Sequence, residues 1–131
     1  MMKANARTHH GLVQRKISET FLDFASPTLS DMPENASGPE IEKALSVAFT
    51  VWNAVVLDDV RGTGDWVARV RELISPDPQG ALVIEQLLDR KRTRFGDDHR
   101  LIGRYRVTRQ GDELNLWAEA RDPYSIPPGG Q

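Results

Sequence analysis

The spacing of the apolar residues changes once along this chain, near Gly96, from the 3.6-residue period of helices to the two-residue period of strands. Helices first and strands last make an α+β chain. Beyond the change, Tyr105 and Val107 alternate with Arg104, Arg106 and Thr108. Leu114, Leu116, Ala118 and Ala120 alternate with Asn115, Trp117 and Glu119, and Gln110-Gly111-Asp112 lies between the two runs. The pattern predicts a C-terminal antiparallel β-hairpin over about 101–121. A two-residue II′-type turn at Gly111-Asp112 sets Tyr105 opposite Ala118 and Val107 opposite Leu116 on an apolar side. Arg106 then faces Trp117, and Arg104 faces Glu119, on the other side. A slip of one residue would scramble both sides. A lone hairpin is marginal in water, so helices must lie under its apolar side.

Before Gly96 the pattern reads as about four helices. Ile17, Phe21 and Phe24 mark the first, and Pro27 is expected to end or kink it. The second, over about 38–59, opens on a capping box, Ser37 to Glu40 with Pro39 between. Ile41, Leu45, Ala48, Trp52, Val55 and Val56 make it apolar on most sides, so it belongs at the centre of the domain. Its polar row is Ser46, Thr50 and Asn53. Gly62-Thr63-Gly64 ends it, and Thr63 or Asp65 is expected to cap a third helix with a Trp66, Val67, Val70, Leu73, Ile74 stripe. Asp77 and Pro78 open the fourth, whose core face is Leu82, Ile84, Leu87, Leu88 and Phe95, with Gly96 as its stop. Residues 1–11 show no period and are expected to fray, as is the Pro/Gly tail 123–131. The whole 1–131 reads as a single domain.

The chain has no cysteine, which excludes disulfides, thiolate zinc sites, iron–sulfur clusters and thiol catalysis. No secretory signal is visible, and the longest apolar stretch, Ala44–Leu57, is shorter than the roughly 20 helical residues that span a bilayer. A cytoplasmic setting with no membrane contact is expected. The phosphate loop, the dinucleotide Gly-x-Gly-x-x-Gly, the Gly-x-Ser-x-Gly elbow and His-Glu-x-x-His are all absent. No reaction, cofactor or metal is implied.

Net charge is −2, but unevenly spread: residues 17–89 sum to −9 and residues 90–109 to +6. The basic stretch, with Arg104 and Arg106 beside Trp117, would suit phosphate and a stacked base. Against this, the arginines can pair with the acidic body and lie over Trp117 internally, and the pI of 5.9 is far from that of a nucleic-acid module. Asp58-Asp59 and Asp97-Asp98-His99 contain metal-ligating groups, and Glu19/Asp23 and Glu85/Asp89 have a helical i, i+4 spacing. Loop solvation and capping explain such acids as well. Asn53, an amide in the most apolar helix, must either contact a ligand or make a hydrogen bond that fixes how the hairpin docks.

The reading that results is a small, non-catalytic protein-interaction module, with a homodimer as one form. The binding residues would be Arg104, Arg106, Trp117 and Asn53, and the dimer contact would be the free edge of the second strand or the Trp117 face. The alternatives are a nucleic-acid or nucleotide-binding accessory protein using 90–109, which the charge disfavours, and a metal-assisted hydrolase using helical carboxylates.

Overall fold

The computed structural model describes residues 3–6, 16–74, 76–111 and 113–125. It has the α+β arrangement expected, four helices followed by the antiparallel hairpin. The elements are β1 (Lys3–Ala6), α1 (Ile17–Ser30), α2 (Gly38–Arg61), α3 (Asp65–Ile74), α4 (Pro78–Arg94), β2 (Leu101–Gln110) and β3 (Glu113–Arg121). A 3₁₀ turn, Pro123–Ser125, follows.

The central helix is α2. It contacts α1 and β2 as well as α3 and α4, so it lies between the sheet and the last two helices. Ser37 caps it by accepting from the Glu40 amide at 3.2 Å, with Pro39 in the first turn. Leu45, Ala48, Val51, Trp52, Val55 and Val56 are all essentially inaccessible. Burying a side chain of Leu or Val size contributes about 1.5–3 kcal/mol each, so this helix is the main source of core stability.

The hairpin has the register expected from alternation. Arg104 pairs with Glu119, Tyr105 with Ala118, Arg106 with Trp117 and Val107 with Leu116. Gly111 closes it at φ 60°, the left-handed conformation that primed turns need at their first central position. One irregularity falls between Ile102 and Arg104, and it sets Ile102, opposite Ala120, on the same face as Tyr105 and Val107.

Several expectations need correction. Residues 1–11 do not simply fray. Lys3–Ala6 forms a strand paired in parallel with Glu113–Leu116, which puts β3 in the middle of a three-stranded sheet. A four-residue strand is held by backbone hydrogen bonds and is too short to show a side-chain period. Residues 1, 2 and 7–11 lie outside the described residues. The tail is not loose from Pro123: that residue is buried, and the 3₁₀ turn packs on α2. Residues 126–131 lie outside the description.

Pro27 does not end α1, which continues to Ser30. Proline removes the amide that the Asp23 carbonyl would accept from. Here Arg90 donates to that carbonyl at 2.8 Å and to the Phe24 carbonyl at 3.2 Å, and the Ser26 hydroxyl adds a third bond at 2.8 Å. Leu73 and Leu82, expected in the core, are 74% and 64% exposed, because α3 buries Val67 and Val70 and α4 buries Ile84, Leu87 and Leu88 instead. Gly96 does follow the end of α4, whose last residue is Arg94, but it is not in the left-handed conformation. Its position needs glycine because a Cβ there would lie 2.8 Å from the Arg92 carbonyl oxygen.

Candidate functional site

Two helix side chains fix the sheet on the core. Asn53 donates Nδ2 to the Ile102 carbonyl at 2.9 Å and accepts the Ile102 amide on Oδ1 at 2.8 Å. Its amide thus stands in for one peptide group of a neighbouring strand. Ser18 does the same on the other side. Its hydroxyl donates to the Ala118 carbonyl at 3.1 Å and accepts the Ala118 amide at 2.8 Å, two residues beyond where β1 stops pairing. Asn53 therefore makes the docking hydrogen bonds, the second of the two roles open to it. No signal in the sequence distinguished Ser18, a lone serine at a helix start.

With the sheet so docked, Phe21 and Phe49 meet Tyr105 on the inner face, at ring separations of 5.4 and 5.3 Å. Leu114, Leu116 and Ala118 are buried there. The outer face is open: Arg104, Arg106, Thr108, Glu113 and Glu119 are exposed and Trp117 is half-buried. The Arg104 and Arg106 guanidinium carbons each lie 5.5 Å from the Trp117 ring centroid. Arg104 also donates Nε to Glu119 at 2.9 Å. The indole is thus held in place by two cations, each contributing about 0.5–1 kcal/mol at an exposed site. Beside it a cleft of about 250 Å³ is bordered by Arg106, Thr108, Asn115 and Trp117. Arg104, Arg106 and Trp117 share this face. Asn53 does not: it lies at the end of β2 that meets α2.

The chain matches no protein-family model, and no curated protein or solved structure matches it. The acidic groups therefore have to be read from geometry alone. The Asp58 carboxylate is turned into the start of α3, accepting the Trp66 and Val67 amides at 3.1 and 3.0 Å and the Thr63 hydroxyl at 2.9 Å. It is this residue, from the end of α2, that caps α3, in place of Thr63 or Asp65. Asp59 approaches His99 at 4.0 Å. Asp98 is clamped by Arg100, whose Nη2 donates at 2.6 Å, and whose Nε and backbone amide donate at 2.9 and 3.1 Å. Burial alone would raise its pKa, but these bonds and the nearby Lys91 charge outweigh that and hold it below the usual carboxylate range. Among the described residues no three acidic or imidazole groups gather as metal ligands.

Lys91 is the residue that sequence reasoning passed over. It is completely buried, with its Nζ donating to the Phe95 and Asp98 carbonyls at 2.7 and 2.9 Å and lying 4.4 Å from the Trp52 ring centroid. Burial lowers its pKa, against the raising effect of Asp98, Asp59 and Asp97. Within the run Arg90-Lys91-Arg92 nothing local sets it apart from a solvated cation at a helix C-terminus. Only the position of Lys91 four residues after Leu87, itself a core residue, hinted otherwise. The nearby cleft of about 580 Å³ is lined by Arg92, Arg94 and Arg100 but also by Asp23, Asp97 and Asp98, so its charges oppose one another.

Proposed function

We propose that this protein is a protein-interaction module that pairs with a second copy of itself through the outer face of its sheet. The observation that carries the reading is Trp117, a half-buried indole held by Arg104 and Arg106 on an open sheet face. Tryptophan and arginine are the residues most often found at the energetic centre of protein contacts. The same face carries Glu113 and Glu119 beside the two arginines, so it can complement itself across a two-fold axis. The second strand's edge, the other contact expected from sequence, is taken by β1. That leaves the face.

Sedimentation of the wild type at about 100 μM, a loading that populates even micromolar dimers, tests the reading. A dimer that Trp117→Asp converts to monomer supports it. A wild-type monomer at that loading overturns it, and so does a dimer untouched by the substitution. The nucleic-acid alternative has less support, since Glu113 and Glu119 stand on the same exposed face as the two arginines and would repel a phosphate backbone.

A further inference from the structure

A second surface lies on the other side of β2. This strand is at the end of the sheet, with β3 beside it and no described strand on its outer side. In an antiparallel pair, alternate residues turn their N–H and C=O toward the partner or away from it. The two-residue turn closes on Gln110 and Glu113, so Thr108, Arg106 and Arg104 bond to β3, while Arg109, Val107 and Tyr105 turn their backbone groups outward. The same alternation turns Leu114, Leu116 and Ala118 of β3 toward β1 and Ser18, as their contacts require. It also turns Ile102 outward beyond the irregularity, where Asn53 already pairs with it. The edge is therefore built to receive peptide groups, and one side-chain amide occupies its first position. Alongside Val107–Arg109 runs a groove of about 230 Å³ between β2 and the first turn of α2, lined by Pro39, Ile41, Val107 and Leu114 and also by Glu42 and Arg109.

Charge decides what fits there. β2 carries Arg104, Arg106 and Arg109 and no acid. A second β2 strand would bring like charges together, the arrangement by which proteins guard their edges against self-pairing. Residues 1–15 and 126–131 carry no acidic side chain either. The strand that β2 does accept, β3, sets Glu119 opposite Arg104 and Trp117 opposite Arg106. We infer that the Tyr105–Arg109 edge of β2 takes up an extended segment of another protein, with acidic side chains at alternate positions and small apolar ones between. The segment adds a fourth strand: its peptide groups bond to the outward groups of Tyr105, Val107 and Arg109, its acids lie beside Arg104 and Arg106, and its apolar side chains enter the groove.

The test uses the full-length chain and three synthetic peptides: alternating Glu and Val, alternating Lys and Val, and the Glu/Val peptide with alternate backbone nitrogens methylated. Titration is followed by NMR, with amide exchange read at Tyr105, Val107 and Arg109. The Glu/Val peptide should bind and slow exchange at these three amides. The Lys/Val peptide should not bind, and the methylated peptide should bind at least about tenfold more weakly, since it loses strand hydrogen bonds. Charge reversal with Arg104→Glu and Arg106→Glu should exchange the preference between the acidic and basic peptides. Equal binding of the methylated peptide, or protection away from these amides, would overturn the inference, as would no binding at millimolar peptide. Trp117→Asp separates this from the face contact: it removes the dimer while leaving the three amides protected by peptide.

Discussion

Replacing Asn53 with alanine tests the claim that a side-chain amide docks the end of β2. The substitution removes both bonds to Ile102, and Ile102 is only 2% exposed, so its N–H and C=O lose their partners in a place that water reaches poorly. An unsatisfied buried group costs about 1–3 kcal/mol, and because Asn53 is itself half-buried, the lower half of that range applies to each. The sum is about 2–4 kcal/mol. Alanine is the better helix former by roughly 0.6 kcal/mol, so the net loss should be about 1.5–3.5 kcal/mol. Urea unfolding followed by tryptophan fluorescence should report a lower midpoint with an unchanged slope. A loss below about 1 kcal/mol would refute the docking role. Asn53→Asp sharpens the test. The carboxylate can still accept the Ile102 amide but, once ionised, has nothing to donate to the carbonyl. Its protonated form is therefore favoured in the folded state and its pKa raised. The variant should approach wild-type stability at acid pH and lose ground as pH rises through the folded-state pKa, the reverse of ordinary acid denaturation.

Other outcomes follow from the same contacts. Arg90→Met should lower stability by about 1–3 kcal/mol in urea melts, because the Asp23 and Phe24 carbonyls and the Asp23 carboxylate lose a donor. Adding Pro27→Ala to that variant should recover part of the loss, since an amide returns to the Asp23 carbonyl. Asp98 has a lowered folded-state pKa, so its contribution is complete above the unfolded carboxylate range and disappears as pH falls through the folded value. Thermal melts across the acid limb should be flatter in Asp98→Asn than in the wild type. Glu85→Gln breaks a two-bond contact with Arg71, but both side chains are about half exposed, and the urea midpoint should move by no more than about 1 kcal/mol in stability.

The parts of this fold that could be read in advance are those where side chains repeat. α2 declares itself by Ser37, Pro39 and Glu40 at its start and by apolar residues on most of its faces. The hairpin register follows from Tyr105 and Val107 matching Ala118 and Leu116. What stayed hidden depends on backbone groups. β1 is a four-residue strand without a pattern, and its presence moves β3 from the edge to the middle of the sheet. The continuity of α1 through Pro27 depends on Arg90, 63 positions away in sequence, and no local rule reports a donor at that distance. The basic run 90–94 concealed three different fates: Arg90 supports α1, Lys91 is buried under Trp52, and Arg92 and Arg94 line an open cleft. The candidate face was legible because Arg104, Arg106 and Trp117 follow from hairpin alternation alone. The free edge of β2 was not, because which strand lies outermost depends on β1.

One device recurs wherever this small domain runs out of secondary structure. Ser18 completes β3 where β1 stops, Asn53 completes β2 at its irregularity, Arg90 completes α1 at proline, Asp58 completes the start of α3, and Lys91 completes the end of α4. Each is a polar side chain from a neighbouring helix, or from the helix itself, placed where a backbone group would otherwise be buried without a partner. Such groups are costly enough that a native fold leaves few of them. Against that background the outward backbone groups of Tyr105, Val107 and Arg109 stand apart. They follow after a position that Asn53 completes, and Val107 and Arg109 border a groove, yet among the described residues no helix side chain bonds to these backbone groups. Solvent can serve them in the isolated chain, and a strand from a partner would serve them better, because it would also fill the groove and meet the arginines beside it.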